Sequence, residues 1–352
     1  MKKVLVTPLD WGLGHATRCI PVVRMLLDRN IQVMLAGDGD SLLLLKDEFP
    51  TLPAFSLPGY RPVYPSGGSM ARKMIFQLPK FFQAARREHT EIERIVRDNG
   101  IDVVISDNRY GCWSSTAYSV LITHQSNVLM PRKFGWLSSL VRKAISGRIN
   151  SFDICWIPDL PDHRLSGILT SFGESTISVP VVHIGPVSRL KRITNTKIQY
   201  DVAVILSGPE PQRTIFESVL MPQLEKSGLR YFVARGLPAA GITKDGHCAN
   251  FLNSAAMETL LASSDIVIAR SGYSTIMDLA RMGKKAVLVP TPGQTEQEYL
   301  ARELTNKMIA FSQDQGNFDL QTAIIDSKKY SGFRDFPATN ELLNLAVSQL
   351  PV

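Results

Sequence analysis

Short apolar runs alternate with longer amphipathic segments along most of the chain. Residues 4–7 and 266–269 are almost wholly apolar and rich in valine or isoleucine, a pattern typical of strands buried on both faces of a sheet. Residues 16–29 instead place apolar side chains on one face of a helix, at Ile20, Val23, Leu26 and Leu27. The repeated alternation of strand and helix predicts an α/β protein with parallel sheets.

The clearest strand–helix–strand unit spans residues 264–289. Its first strand leads into a Ser-Gly turn at residues 270–272, and a helix over residues 274–281 follows, ended by Gly283. The N–H groups at the start of such a helix point to the carboxyl edge of the sheet, where anions such as phosphate bind. The unit therefore predicts an anion site made by the turn and the helix start.

Polar residues near this helix start favour a nucleotide, although they also fit a structural interpretation. Asp278 lies one turn inside the helix, where its carboxylate could bind ribose hydroxyls. It could equally complete a capping box with Thr275, and Thr295 and Glu298 have the same spacing. The spacing alone leaves both interpretations open.

Length, charge and cysteine usage narrow the class of protein. The chain of 352 residues suits two domains of about 150–200 residues each. A net charge of +7 is modest, and no aromatic and basic cluster indicates binding of nucleic acid. The four cysteines are widely spaced, so we expect free thiols in a reducing cytoplasm. Pro8 and Asp10 interrupt the apolar N-terminus and no apolar run reaches about 18 residues, so we expect neither a signal peptide nor a transmembrane helix.

Loops that follow other predicted strands carry further candidate chemistry. The segment G-L-G-H at residues 12–15 lacks the third glycine of a dinucleotide fingerprint, so it does not predict an NAD site. Asp107 opens a polar loop after the strand predicted at residues 102–106, and His124 follows the strand at residues 120–123. Loops at the carboxyl ends of strands line the ligand clefts of open α/β sheets, so these residues are candidates for a site.

The segment R-S-G-Y-S-T-I-M-D-L, followed by V-P-T-P-G-Q-T-E-Q-E-Y, resembles the donor region of MurG-like glycosyltransferases. These GT-B enzymes transfer N-acetylglucosamine from UDP to a lipid-linked acceptor. The resemblance is clearest over residues 265–299 and weak between residues 40 and 150. It implies two doubly wound, Rossmann-like α/β domains facing across a cleft. Residues 1–190 would form the acceptor side and residues 191–337 the donor side, with residues 338–352 as a helix that packs back toward the first domain.

The resemblance also implies which residues bind the donor. Residues 270–278 would hold the diphosphate and ribose, and residues 295–298 the sugar. Asp278 stands where the family has a glutamate, and Glu298 where it has a second glutamine, so the identity of the sugar stays open. The full set of implied donor-binding residues is Gly14, Ser207, Gly208, Arg213, Leu252, Arg270, Ser271, Gly272, Ser274, Thr275, Asp278, Thr295, Gln297 and Glu298.

The implied reaction is an inverting transfer of a hexose or N-acetylhexosamine from a UDP-sugar to an acceptor hydroxyl, on a lipid-linked or cell-envelope glycan. His15 is the candidate catalytic base, because a histidine side chain ordinarily titrates near about pH 6.5. Asp107 and His124 are assigned to the acceptor side, and loop hydrogen bonding explains them equally well. The donor half contains no D-x-D pair, so we expect no metal and no cofactor beyond the co-substrate, with helix N-termini stabilising the diphosphate.

The basic, amphipathic residues 131–149 either pack their apolar side into the core or lie on an anionic membrane surface, which would suit a lipid-linked acceptor. We expect a cytoplasmic protein, with peripheral membrane contact as one interpretation of this segment. Two other functions stay open. One is an isomerase like the UDP-N-acetylglucosamine 2-epimerases, which share the architecture. The other is a non-catalytic nucleotide-sugar-binding subunit, which the glycine-poor diphosphate loop at residues 207–213 would permit.

Overall fold

The computed structural model describes residues 2–60, 70–125, 127, 138–171, 177–194, 196–237 and 244–352, except for the side chains of residues 70–82 and 138. The chain divides into two compact units. Unit 1 comprises Met1–Ser188 and Asn340–Val352, and unit 2 comprises Arg189–Thr339. The sequence predicted domain boundaries after residue 190 and after residue 337.

Unit 1 is built on a parallel sheet with helices between its strands. Its strands are Lys3–Pro8 (β1), Gln32–Gly37 (β2), Ala54–Ser56 (β3), Val103–Asp107 (β4), Tyr118–Ile122 (β5), Ile154–Ile157 (β6) and Val181–His183 (β7). The helices between them are Gly14–Leu27 (α1), Gly39–Glu48 (α2), Met70–Asn99 (α3) and Ser138–Ile149 (α4). Within the described residues the seven strands lie in the order β3-β2-β1-β4-β5-β6-β7, and every neighbouring pair is parallel.

Unit 2 repeats this plan. Its strands are Tyr200–Ile205 (β8), Tyr231–Ala234 (β9), Lys244–Asp245 (β10), Cys248–Ala249 (β11), Ser264–Ala269 (β12), Lys285–Leu288 (β13) and Phe311–Ser312 (β14). Its helices are Gln212–Ser227 (α5), Ser254–Ala262 (α6), Tyr273–Met282 (α7), Thr295–Asn306 (α8) and Leu320–Ser327 (α9). The described strands lie in the order β10-β11-β9-β8-β12-β13-β14, and all pairs are parallel except β10 with β11.

The apolar runs of the sequence form the centres of these sheets. Leu5 and Val6 in β1, and Val267 and Ile268 in β12, are completely buried. Central parallel strands are covered by helices on both faces, so none of their side chains needs to be polar. The predicted α/β class with two parallel-sheet units is confirmed.

The helix predicted after the Ser-Gly turn is also confirmed, and α7 is one residue longer at each end than expected. Gly283 ends it in the left-handed conformation, with φ of 66°, which only glycine adopts without strain. Gly272 is the N-cap residue of α7 and, having no side chain, makes no capping hydrogen bond of its own.

Each sheet has one switch point, where the chain reverses the direction in which it adds strands. The switch point of unit 1 lies between β1 and β4, and that of unit 2 between β8 and β12. Loops that leave the two strands at such a point diverge at the carboxyl edge, and ligands of open α/β sheets bind there. The order of strands therefore selects two places for candidate sites.

The C-terminal helix Glu341–Ser348 (α10) belongs to unit 1, where it packs against α1 and β7. Leu343 and Val347 are its fully buried residues. Arg29, just after α1, donates from Nη2 to the backbone carbonyl of Asn344 at 3.0 Å. These contacts join the end of the chain to the first helix.

Part of the basic segment at residues 131–149 lies outside the described residues, because α4 is described only from Ser138. Among the helices that the structure describes, none combines the length and the apolar character needed to cross a bilayer.

Candidate functional site

The switch point of unit 1 brings together His15 and Asp107. Gly12, with φ of 86°, turns the chain from β1 into α1, and His15 is the second residue of that helix. Asp107 is the last residue of β4, paired with Pro8 of β1. The prediction that Asp107 opens a loop is therefore wrong by one residue, because the ladder with β1 and β5 extends that far.

The carboxylate of Asp107 orients the imidazole of His15. Nδ1 of His15 lies 2.8 Å from Oδ1 of Asp107 and 3.0 Å from Nη2 of Arg18. Because a carboxylate can only accept, and Nη2 of Arg18 already donates to Oδ1, we assign the proton to Nδ1, which leaves Nε2 with a lone pair. The side chain of His15 keeps 13% exposure while that of Asp107 has none. The arrangement presents one basic nitrogen on a fixed ring, as a general base requires.

Arg18 holds the other side of the same carboxylate. Its Nε donates to Oδ2 of Asp107 at 2.6 Å, and its Nη2 donates to Oδ1. Burial alone would raise the pKa of Asp107, but the charges and hydrogen bonds of Arg18 and His15 outweigh it and hold that pKa well below its usual range. Asp107 is therefore ionised at neutral pH.

His124 is the fourth side chain of this cluster, together with His15, Asp107 and Arg18. Its Nδ1 lies 3.3 Å from Nη1 of Arg18 and so accepts a hydrogen bond, and its ring centroid lies 6.1 Å from that of His15. His124 is only 5% exposed. The three residues that the sequence singled out in this half are thus brought together, and Arg18, which it did not single out, joins them. Arg18 lies three residues after His15 on one helix face, and that spacing was the available signal.

A second buried cation, Arg109, ties together the loops at the same edge of the sheet. It forms ion pairs with Glu88 of α3 and with Asp38 after β2, each at 2.6 Å. It also donates to the backbone carbonyls of Pro8 at 3.2 Å and Pro58 at 2.8 Å. Pro8 ends β1, Asp38 and Pro58 follow β2 and β3, and Glu88 lies on α3, so Arg109 joins the elements around the switch point that carries His15.

The statement that no D-x-D motif occurs is wrong for the chain as a whole, because Asp38-Gly39-Asp40 in unit 1 has this sequence, and it holds only for the donor half. Asp38 of this pair is engaged by Arg109. Across the described part of the chain, no group of three or more histidine, cysteine or acidic side chains is placed to hold a metal ion.

The switch point of unit 2 brings together the two turns that the sequence assigned to the diphosphate. Ser207 and Gly208 follow β8, while Ser271 and Gly272 follow β12, its neighbour in the sheet. Among the described residues, a Cβ added at Gly208 would have only the Thr291 hydroxyl within 4 Å, and one added at Gly272 only the Thr275 hydroxyl. Within that part of the chain, both turns therefore leave room into which a phosphate could fit.

The polar cluster at the start of α8 holds its own loop. Gln297 accepts from the N–H of Thr291 at 2.9 Å and donates from Nε2 to Gln294, and it is 9% exposed. Glu298 accepts from the N–H of Gly293 at 2.8 Å. These bonds shape the loop between β13 and α8, so direct binding of the sugar by Gln297 and Glu298 stays a prediction.

The buried hydroxyl of Ser271 joins the two elements of this site, since it donates to the backbone carbonyl of Gln297 at 2.8 Å. Ser271 therefore positions the turn after β12, and its hydroxyl is not aimed at a ligand. Ser274, Thr275 and Asp278 lie partly exposed along the first turns of α7. Their predicted contacts with the donor stay predictions.

The remaining predicted donor residues lie in different parts of the fold. Thr295, the first residue of α8, is partly exposed, and Leu252 packs partly buried against the cluster around Phe232 in unit 2. Gly14 is the first residue of α1 in unit 1. These positions do not test the predicted roles of the three residues in donor binding.

Arg213 is engaged by side chains of its own helix and of the residues just before it. Its Nε donates to Glu210 at 2.6 Å, its Nη1 to Glu217 at 2.8 Å, and its Nη2 to Thr214 at 2.6 Å. Since the side chain is 6% exposed and every nitrogen of the guanidinium is engaged, bidentate binding of phosphate would have to break these bonds, and that role stays a prediction. The cause is local, because both carboxylates lie within one turn of Arg213 on the helix or just before it.

Arg270 likewise points into unit 2, where it is 1% exposed and donates to backbone carbonyls and to Gln315. Its guanidinium is thus turned into unit 2, whereas the sequence-based prediction placed it against the donor. A residue that the sequence did not reveal is Thr291, whose buried hydroxyl has no hydrogen-bond partner in the described structure. Nothing in the spacing distinguishes this threonine from a loop residue.

Residues 244–329 match the model of the glycosyltransferase family 28 C-terminal domain. An uncharacterized glycosyltransferase of Methanosarcina acetivorans is 24% identical over 317 residues, which is 84% of this chain and 81% of that protein. A UDP-N-acetylglucosamine–N-acetylmuramyl-(pentapeptide) pyrophosphoryl-undecaprenol N-acetylglucosamine transferase of Bordetella pertussis is 23% identical over 331 residues, which is 88% of this chain and 84% of that one.

Solved structures with the same fold include the glycosyltransferase SnogD of Streptomyces nogalater, with a TM-score of 0.63, 15% identity and 99% of both chains covered. Acinetobacter baumannii MurG has a TM-score of 0.59 at 14% identity, over 99% of this chain and 100% of that one. The Streptomyces glycosyltransferase SsfS6, complexed with thymidine diphosphate, has a TM-score of 0.61 at 12% identity, over 99% of this chain and 100% of that one.

The fold is therefore that of the GT-B glycosyltransferases. The chain is similar to MurG in particular, and its second unit carries the match to the family 28 C-terminal domain.

Proposed function

We propose that the protein is an inverting, metal-independent glycosyltransferase that moves a hexose or N-acetylhexosamine from a UDP-sugar to an acceptor hydroxyl. The observation that carries the proposal is the buried Asp107–Arg18 ion pair, which fixes His15 at the switch point of unit 1. A histidine held in one tautomer by a permanently ionised carboxylate is suited to remove a proton from a hydroxyl.

In this mechanism Nε2 of His15 takes the proton of the acceptor hydroxyl as its oxygen attacks the anomeric carbon. The bond from that carbon to the diphosphate breaks, and the nucleoside diphosphate leaves with the electron pair, so one displacement inverts the configuration. The imidazolium that forms is stabilised by the negative charge of Asp107, which costs no reorganisation because Arg18 already holds the carboxylate in place.

Unit 2 binds the donor in this proposal. The diphosphate lies against the Ser207–Gly208 turn and the start of α7 at Gly272, where backbone N–H groups and the helix dipole favour an anion. Asp278 accepts the ribose hydroxyls. Support for a nucleoside diphosphate comes from the uridine-linked donor in the name of the Bordetella relative and from the thymidine diphosphate in the SsfS6 structure.

The acceptor is proposed to be a lipid-linked or cell-envelope glycan. The name of the Bordetella relative contains a pyrophosphoryl-undecaprenol acceptor. In this chain the described helix α4 carries Arg142, Lys143 and Arg148, together with Leu140, which is 64% exposed. A helix with basic residues and an exposed leucine suits peripheral contact with an anionic, cytoplasmic membrane surface.

The proposal is tested by incubating the protein with UDP-N-acetylglucosamine, UDP-glucose or UDP-galactose, with and without a polyprenyl-diphosphate-linked acceptor in vesicles, in the presence of EDTA. Mass spectrometry should show a glycosylated acceptor and released UDP. Epimerised UDP-sugar without acceptor would favour the isomerase. Tight binding of UDP with no turnover of any donor and acceptor pair would favour the binding subunit.

Replacement of Asp278 by alanine should weaken binding of UDP by about 10- to 100-fold, because charge-assisted hydrogen bonds to the ribose are lost. The affinity for 2′-deoxy-UDP should change much less, since that ligand lacks one of the hydroxyls. Isothermal calorimetry measures both values. Asp265→Ala is the control, because Asp265 is an exposed carboxylate near the other end of β12. An unchanged UDP affinity in Asp278→Ala would contradict the ribose assignment.

A further inference from the structure

Arg270 is a buried cation whose hydrogen-bond partners are all uncharged. Its Nη1 donates to the backbone carbonyls of Val289 at 3.2 Å and Pro290 at 3.3 Å. Its Nη2 donates to the carbonyl of Gln212 at 2.8 Å and to Oε1 of Gln315 at 2.5 Å. Among the residues described in unit 2, no carboxylate lies within ion-pair distance of this guanidinium. The positive charge is therefore hydrogen-bonded but not neutralised.

The partners of Arg270 belong to elements that surround the switch point of unit 2. Val289 and Pro290 directly follow β13, and Gln212 is the first residue of α5, which comes after the Ser207–Gly208 turn. Gln315 lies in the turn after β14. One guanidinium thus joins three loops at the carboxyl edge of the sheet, and its charge lies at the edge where an anion is expected to bind.

An unpaired charge inside a protein is costly, so its retention calls for a reason. The ring of Phe216 lies 4.6 Å from the guanidinium carbon and offsets part of this cost through a cation–π contact. Burial lowers the pKa of Arg270 to about 10, so the side chain remains charged at neutral pH. Its counter-charge is thus missing from the described chain and could be supplied by a bound ligand.

We propose that Arg270 is the internal counter-charge of the donor diphosphate, acting on it through space without contacting it. The inference rests on the proposed function, because it assumes that the turns after β8 and β12 hold a nucleoside diphosphate. Arg270 is then a positioning and electrostatic residue. It fixes the loops that receive the phosphates and supplies a positive potential in a region of low dielectric, where a charge acts over several ångströms.

The test compares two probes, UDP and uridine, which differ only in the charged phosphates. Arg270→Gln removes the charge and keeps an amide donor for the neighbouring carbonyls. The affinity for UDP should fall about tenfold or more, while the affinity for uridine should change less than about threefold. Arg270→Lys retains the charge, so its ratio of UDP to uridine affinity should stay within about threefold of the original. Calorimetry measures the affinity for UDP, and ligand-observed NMR measures the affinity for uridine.

Lys284→Met is the matched control. Lys284 is another largely buried cation of unit 2, but its Nζ donates to the carbonyl of Ser264, the first residue of β12, at the opposite end of the strand from Arg270. Replacement of Lys284 perturbs the same strand and should leave the ratio of UDP affinity to uridine affinity unchanged.

Equal losses for UDP and uridine in Arg270→Gln would overturn the proposal, because a purely structural residue affects both ligands alike. A tenfold fall in the ratio of UDP affinity to uridine affinity in Arg270→Lys or in Lys284→Met would also overturn the proposal. If Arg270→Gln does not fold, Arg270→Lys still tests it. If the unmodified protein binds neither UDP nor uridine, the proposed function itself fails, which is a distinguishable result.

Discussion

Replacement of His15 by alanine should reduce the turnover number by about 10²–10⁴-fold and leave the affinity for UDP unchanged. The reason is that the acceptor hydroxyl then loses the base that receives its proton, whereas the proposed donor residues lie in unit 2 apart from Gly14. Steady-state kinetics with the acceptor, together with calorimetry for UDP, measures both effects. The size of the loss reflects removal of one proton-transfer group from an otherwise intact site.

His89→Ala is the control for this variant. His89 is a partly exposed histidine of α3 whose ring stacks on Trp113 with centroids 3.9 Å apart, so its removal deletes an imidazole of unit 1 away from Asp107. Its turnover should stay within about threefold of the original, as for substitutions outside a site. If His15→Ala instead lost UDP affinity at unchanged turnover, His15 would be a donor-binding residue and not the base.

Replacement of Asp107 by asparagine should reduce turnover by about 10²-fold or more, again with little change in UDP affinity. An amide is uncharged, so it cannot stabilise the imidazolium that forms as His15 accepts the proton. It can also donate to Nδ1 and so hold the wrong tautomer, with the proton on Nε2. Because Arg18 then loses the buried carboxylate with which it is paired, the free energy of unfolding should also fall by about 3–5 kcal/mol. Kinetics must therefore be measured well below the melting temperature of the variant.

Asp159→Asn separates the catalytic effect of this change from its effect on stability. Asp159 is as buried as Asp107 and accepts hydrogen bonds from the N–H groups of Leu160 and Ser166 at 2.7 and 2.8 Å, in the loop after β6. Its replacement should destabilise unit 1 without a comparable loss of turnover per folded molecule. If the turnover number of Asp107→Asn stays within about threefold of the original, the carboxylate has no role in the mechanism.

The elements around both candidate sites were predictable because their signals are local. The apolar run of β12, the Ser-Gly turn and the glycine that ends α7 lie within about twenty consecutive residues, and each has a short-range physical cause. The position of His15 at a helix start was visible in the same way. For Arg213, the two carboxylates that form ion pairs with it are also near in sequence, so this engagement too has a local cause.

The contacts that give these residues their chemistry were not predictable. Arg18 and Asp107 are separated by 89 positions, and no pattern along the chain pairs them. Arg270 was predicted to bind the donor directly, yet the packing of β13 and α5 turns its guanidinium inward. Its burial depends on neighbours up to 58 positions away, which the Ser-Gly motif does not contain.

The sequence by itself determined the α/β class, the repetition of the plan in two halves and the turns that can receive an anion, because hydrophobic period and turn chemistry act over a few residues. Only the tertiary structure decided which strands are neighbours, and hence that the ends of β1 and β4, and of β8 and β12, form the two switch points. Strand order and the pairing of buried charges depend on how distant segments share one core. They are therefore properties of the packed sheet, and no single segment of the chain contains them.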